Sequence, residues 1–96
     1  MSKLLAAAVG CASIAAAVAA SAEPPAGAAA CTGCHPASAR VASPVPRLAG
    51  RDPVVIVRAM QDFRSGARPA TVMDRIARGF SDAEVQAIAA WYAAQR

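Results

Sequence analysis

The stretch Cys31-Thr32-Gly33-Cys34-His35 places two thiols and the only imidazole of the chain within five residues. The C-x-x-C-H spacing is typical of the covalent attachment of a c-type haem. On one helical turn the two sulfurs can reach the two vinyl positions of the porphyrin, while the adjacent imidazole points at the iron. The pattern therefore predicts one covalently bound haem c, held by Cys31 and Cys34 and ligated by His35.

Three other uses of two nearby thiols fit the sequence less well. A thioredoxin-like redox pair needs a βαβ pattern, and neither residues 26–30 nor residues 36–44 resemble strands. A zinc site needs four ligands, and only three remain if Cys11 is removed with the front of the chain. A plain Cys31–Cys34 disulfide closes a loop too small to stabilise much. A haem-free thiol redox or metal-binding module remains the lower alternative.

The front of the chain is typical of a secretory signal. Lys3 precedes an apolar run from Leu4 to Ala20, and the small residues Ala20-Ser21-Ala22 form a cleavage site. The run is too short and too rich in alanine for a comfortable membrane span of about 20 residues. We expect a cleaved signal peptide at 1–22, a mature domain at 23–96 without a membrane span, and a periplasmic location. A lipidated Cys11 is the competing interpretation.

Size and charge narrow the possible functions. The chain has 96 residues, 10 Lys+Arg against 6 Asp+Glu, and 4% aromatic residues. This modest, scattered positive charge does not form the basic stripe that nucleic-acid binding requires, so we expect no nucleic-acid partner. Domains this short gain only about 3–5 kcal/mol from their own core. A cofactor that fills the middle of the fold would supply the missing contacts.

The mature chain has two candidates for a second iron ligand, Met60 and Met73. A low-spin electron-transfer haem usually takes a Met opposite the His. Met60 lies in a predicted helix that begins after Asp52 and ends before Gly66, on one side with other apolar residues. That spacing favours packing for Met60. Met73 follows a loop that can carry it to the opposite side of the iron, so we predict Met73 as the axial ligand.

The proline-rich segment 44–50 is predicted to be a rigid loop near the site. A metal-bound His normally donates its other ring N–H to a carbonyl or carboxylate, and Pro46 can supply that carbonyl. The same segment could equally be a stiff connector. In the absence of the cofactor we expect a hollow lined by Leu48, Met60, Met73 and Ile76.

The end of the chain is predicted to be an amphipathic helix. Ser81 and Glu84 form a capping box at its start, and apolar residues then recur at helical spacing at Val85, Ile88, Ala89 and Tyr92. We expect Trp91 and Tyr92 to pack against the first helix near Gly27, where the missing side chain permits close approach.

The order of these features resembles that of a class I cytochrome c. The C-x-x-C-H motif is followed by the Pro46-Arg47-Leu48-Ala49-Gly50 loop, a late Met and a terminal amphipathic helix. Residues 52–66 and 71–81 are similar to the cytochrome subunit of flavocytochrome c sulfide dehydrogenase. The resemblance implies an all-α fold of about three to four helices wrapped round one haem. It also implies thioethers from Cys31 and Cys34, axial His35 and Met73, and the Pro46 carbonyl on the His ring.

The same resemblance implies a function in electron transfer, with no bond-making chemistry in this chain. Its partner would be a flavoprotein sulfide dehydrogenase subunit, from which electrons pass through the haem to other periplasmic redox proteins. A freely diffusing monohaem carrier that serves an oxidase or another dehydrogenase is the main alternative. Arg47 or Arg51, both near the haem loop, is expected either to pair with a haem propionate or to be merely solvated.

Overall fold

A computed structural model describes residues 9–12 and 23–96, and within these ranges the chain is helical, with no strand. In chain order the helices are α1 (Ala28–Cys31), α2 (Pro53–Ser65), α3 (Met73–Arg78) and α4 (Asp82–Ala93). The prediction of an all-α fold with three to four helices is confirmed. Most of the predicted signal peptide, residues 1–8 and 13–22, lies outside the described residues. None of the helices in the described part has the length and apolar content needed to cross a membrane.

The longest helix, α2, begins and ends where the sequence predicts. The Asp52 side chain accepts a hydrogen bond from the Val54 N–H at 2.8 Å, and Pro53 occupies the first helical position. Proline is favoured there because its missing N–H would have no partner within the helix. At the other end Gly66 adopts a φ of 81°, the left-handed conformation that lets its N–H bond back to the Phe63 carbonyl.

The predicted capping box at the start of α4 is also confirmed. The Ser81 hydroxyl accepts from the Glu84 N–H at 3.2 Å, and the Glu84 carboxylate accepts from the Ser81 N–H at 2.9 Å. Because that backbone N–H donates to the carboxylate, the pKa of Glu84 lies below its ordinary value of 4.5. Two backbone donors at the helix start are thus satisfied by side chains.

Removing this cap by Ser81→Ala is expected to lower the free energy of unfolding by about 1 kcal/mol, because the Glu84 N–H loses its acceptor. For a domain of this size the melting temperature should fall by roughly 4–8 °C, measurable by circular dichroism. An unchanged melting temperature in Ser81→Ala would contradict the role of the cap.

The Glu84 carboxylate makes the stability of the domain depend on pH. Ionised Glu84 contributes stability above its ordinary pKa, and this contribution is lost as the pH falls through the lowered pKa of the folded state. In Glu84→Gln the free energy of unfolding should therefore depend less on pH in the acid range.

The hydrophobic core lies where α4 meets α1 and α2. Its buried members are Ala28, Ile56, Ile88, Ala89 and Tyr92. The face of α4 predicted from spacing is confirmed, since the buried residues of that helix are Val85, Ile88, Ala89 and Tyr92. The last turn of α4 therefore packs on the short α1, and the half-buried Trp91 of α4 and Cys31 of α1 pack on the same cluster.

Close approach at Gly27 occurs, but with different neighbours from those predicted. Gly27 has a φ of 86°, and a Cβ placed there would lie 2.5 Å from a ring carbon of Phe80 and 3.6 Å from Ile88. Phe80 and Ile88, rather than Trp91, are thus the nearest residues. Tyr92 reaches one residue further along, where its hydroxyl donates to the Ala28 carbonyl at 2.5 Å.

Candidate haem site

The two thiols and the imidazole of the motif lie on one continuous turn at the end of α1. Cys31 is the last residue of that helix, and the Cys34 and His35 N–H groups both bond to the Cys31 carbonyl, at 3.2 and 2.8 Å. This turn brings the three groups together as predicted from their spacing. Both thiols are free; Cys31 and His35 are half-buried, whereas Cys34 is exposed.

Cys31, the half-buried last residue of α1, and Tyr92, on α4, influence each other's protonation. Burial raises the pKa of the Cys31 thiol, and a hydrogen bond with the Tyr92 hydroxyl opposes that shift. Burial also raises the pKa of Tyr92, to about 12, and the charge of an ionised Cys31 adds to the effect. Both groups therefore stay protonated at neutral pH, which keeps the Tyr92 hydroxyl available to donate to the Ala28 carbonyl.

The imidazole of His35 is oriented by the proline-rich loop. Its Nδ1 lies 2.5 Å from the carbonyl oxygen of Pro46, eleven residues further along the chain. A carbonyl can only accept, so the proton of the neutral ring lies on Nδ1 and Nε2 carries a free lone pair. This is the tautomer that binds a metal through Nε2, with the second ring nitrogen held by a backbone group. The proline-rich loop therefore orients the His35 ring in addition to connecting α1 to α2.

Leu48, from the same loop, borders a cavity of about 200 Å³ that also includes His35, Ala49, Trp91 and Tyr92 in its lining. The expectation of a single hollow shared with Met60 is wrong, because Met60 lines a separate cavity of about 60 Å³. That smaller cavity lies between α2 and α4. Met60 and Val85 of α4 both line that smaller cavity, whereas Leu48 packs on the cluster around Ile56, one turn earlier on α2.

Met73 is the first residue of α3 and is half-buried. The loop 66–72 precedes it, as the sequence predicts, and α3 packs against α2. The next residue, Asp74, has a carboxylate oxygen that is buried without a hydrogen-bond partner in the described part of the chain. Ile76, the fourth residue predicted to line the hollow, is 38% exposed.

Two arginines beside the loop have contacts that sequence reasoning missed. The Arg47 Nε donates to the Ala37 carbonyl at 3.0 Å, and the Arg51 Nε donates to the Arg47 carbonyl at 2.7 Å. These bonds use the Nε atoms alone, so the pairing of either arginine with a haem propionate stays a prediction. Backbone carbonyls of an irregular loop need donors, and the available signal was that Arg47 lies within the proline-rich segment and Arg51 directly follows it.

The donor set fits a c-type haem. The described residues provide two thiols one turn apart, an imidazole with its Nε2 lone pair free, and a half-buried thioether at Met73. Nitrogen and soft sulfur donors of this kind are the axial ligands of cytochromes c. Cys31, Cys34, His35 and Met73 are thus chemically suited to hold the porphyrin and its iron.

No protein-family model matches the chain, but three curated proteins are similar to it. It is 37% identical over 62 residues, 65% of this chain, to the cytochrome subunit of sulfide dehydrogenase from Chlorobaculum tepidum. It is 46% identical over 63 residues to the thiosulfate dehydrogenase electron acceptor of Stutzerimonas stutzeri, and 36% identical over 62 residues to cytochrome c-552 of Acidithiobacillus ferridurans. The matched residues cover 56%, 29% and 27% of these proteins.

The names of the similar proteins and the helical fold of this chain point to the same class of protein. Two of the three relatives are named as cytochromes and one as an electron acceptor. The order of helices in this chain, with no strand in the part described, fits the fold of a small cytochrome c. The resemblance stated from the motifs is therefore confirmed, and the similarities support a c-type cytochrome in electron transfer.

Proposed function

We propose that residues 23–96 form a monohaem cytochrome c domain that transfers electrons in the periplasm after residues 1–22 are removed. One observation carries the proposal: the motif turn presents two free thiols and an imidazole whose Nδ1 is 2.5 Å from the Pro46 carbonyl. A thiol redox pair can use a neighbouring imidazole to stabilise its thiolate. Here, however, a backbone carbonyl holds the ring at Nδ1, which is the arrangement of a metal-ligating His and suits a haem iron.

Each residue of the proposed site has a separate task. Cys31 and Cys34 would hold the porphyrin as thioethers, and His35 and Met73 would ligate the iron. When bound, a c-type haem supplies one-electron redox chemistry at its iron. The Pro46 carbonyl keeps the His35 ring in one tautomer and orientation. Leu48, half-buried and next to the core cluster, lines the same cavity as His35 and would keep that side of the site apolar.

In this proposal the chain makes and breaks no substrate bond, so catalysis belongs to a partner. We place this domain beside a sulfide-oxidising flavoprotein, from which it accepts electrons and passes them to other periplasmic redox proteins. Support comes from the similarity to a cytochrome subunit of sulfide dehydrogenase. The alternative is a freely diffusing monohaem carrier, favoured by the similarity to proteins named electron acceptor and cytochrome c-552.

Purification of the tagged chain from its own cells distinguishes these functions. For a stable subunit we expect haem and flavin to elute together and sulfide to reduce the haem. Haem without flavin, in a monomer that sulfide does not reduce, would identify the free carrier instead. Protein without pigment and with two titratable thiols at Cys31 and Cys34 would reject both cytochrome functions and support the haem-free module.

A further inference from the structure

Three hydrogen bonds connect Arg51, Arg47 and the axial histidine through the loop. The Arg51 Nε donates to the Arg47 carbonyl, and the Arg47 Nε donates to the Ala37 carbonyl. Pro46, whose carbonyl is 2.5 Å from the His35 Nδ1, directly precedes Arg47. The half-buried Arg47 side chain thus bridges ten residues, from the loop end that carries Pro46 to the residue two positions after His35.

The two ends of the loop are held in different ways. After Pro46 the chain is fixed to α4, because the Gly50 N–H donates to the Tyr92 carbonyl at 2.9 Å. Before Pro46, the hydrogen bonds within residues 36–45 join residues only two or three positions apart, such as Ser38 with Arg40 and Ser43 with Val45. These short bonds shape local turns. Among the hydrogen bonds of residues 9–12 and 23–96, the bond from Arg47 to Ala37 ties this exposed stretch back to the Pro46 side.

We propose that Arg47 is a positioning residue that keeps the Pro46 carbonyl on the His35 Nδ1, with Arg51 supporting Arg47 through its carbonyl. The inference rests on the proposed function, because it concerns the ring that would ligate the iron. A well-placed acceptor on Nδ1 makes the opposite ring nitrogen a stronger donor to a metal. A stronger donor favours the oxidised iron, so loosening the loop raises the reduction potential.

Two uncharged replacements of Arg47 test its hydrogen bond separately from its positive charge. In Gln the side-chain nitrogen occupies the chain position of the Arg Nε and can donate to the Ala37 carbonyl, whereas the terminal methyl of Met occupies the same position and cannot. We would compare Arg47→Met with Arg47→Gln in the haem-loaded protein. The first readout is the exchange of the His35 Nδ1 proton with solvent, followed by NMR, and the second is the reduction potential.

In Arg47→Met we expect about fivefold faster exchange of that proton, the effect of losing one ordinary hydrogen bond, together with a higher potential. Arg47→Gln should restore the slow exchange and most of the change in potential. Arg58 is an exposed arginine on α2, so Arg58→Met controls for the loss of one positive charge. It should leave the exchange rate unchanged.

Equal behaviour of the Met and Gln variants at position 47, or unchanged exchange in both, would overturn the inference while haem binding stands. Pigment-free preparations of the wild type and every variant would reject the proposed function, and the inference with it. If Arg47→Met does not fold, the same comparison at Arg51 decides. Arg51→Met should accelerate the exchange of the His35 Nδ1 proton by less than the roughly fivefold effect of Arg47→Met, because Arg51 acts through Arg47. Arg51→Gln should leave the exchange rate unchanged. Identical exchange rates in the two Arg51 variants would reject the proposal.

Discussion

Protein in which Cys31 and Cys34 are both replaced by alanine is expected to be recovered without covalent pigment from a host that matures c-type cytochromes. Residues 23–96 contain no other cysteine, and both sulfurs lie on the turn that carries His35. The double variant should therefore lack the additional mass of one covalently bound haem. Denaturing electrophoresis with haem staining and intact-mass spectrometry measure this directly.

The third cysteine provides the matched control for that experiment. Cys11 lies in the predicted signal peptide, so Cys11→Ala should leave the haem content and the mature mass unchanged. Loss of the mature protein from the membrane fraction in Cys11→Ala would instead indicate lipidation. Haem that survives denaturation in the double variant would contradict thioether attachment through Cys31 and Cys34.

The second large effect is expected at Met73. Its replacement by alanine removes the proposed sixth ligand, so the ferric spectrum should change from low-spin to high-spin or water-ligated, and the reduction potential should fall. A Met thioether opposite a His raises the potential of a c-type haem, and its loss removes that effect. Visible absorption and a redox titration of the purified protein measure the two changes.

Met60 is the natural control, because it is the other methionine of the mature domain and is also half-buried. It lines the small cavity against Val85 of α4, so Met60→Ala should lower the melting temperature and leave the spectrum and potential unchanged. A low-spin spectrum with an unchanged potential in Met73→Ala would show that Met73 does not ligate the iron. The reverse pattern in the two variants would assign the ligand to Met60.

Local chemistry explains why parts of this fold could be read from the sequence. Asp52, Pro53 and Gly66 fix the ends of α2 through contacts with their own neighbours, and the Ser81 and Glu84 pair does the same for α4. The motif turn is equally local, since its backbone hydrogen bonds join residues at most four positions apart. Such signals depend little on the rest of the chain.

Features that depend on how distant segments of the chain pack together were harder to predict from the sequence. The sequence allowed Leu48 and Met60 to face one hollow, but the docking of α2 on α4 separates them. Likewise, the sequence places Arg47 in the proline-rich loop but does not identify Ala37 as its partner, because that contact requires the path of the intervening loop. The neighbours of Gly27 depend in the same way on where Phe80 comes to rest.

The hydrogen bond from Tyr92 to Ala28 joins two residues 64 positions apart, and α1 is only four residues long. A single helical turn does not persist alone in water, so α1 becomes ordered only when α4 packs on it. Synthesis from the amino end makes the motif cysteines 58 residues or more before Tyr92, because Tyr92 follows Cys34 by that distance. During that interval both thiols lie in open chain and are accessible to reagents that the folded core would partly exclude.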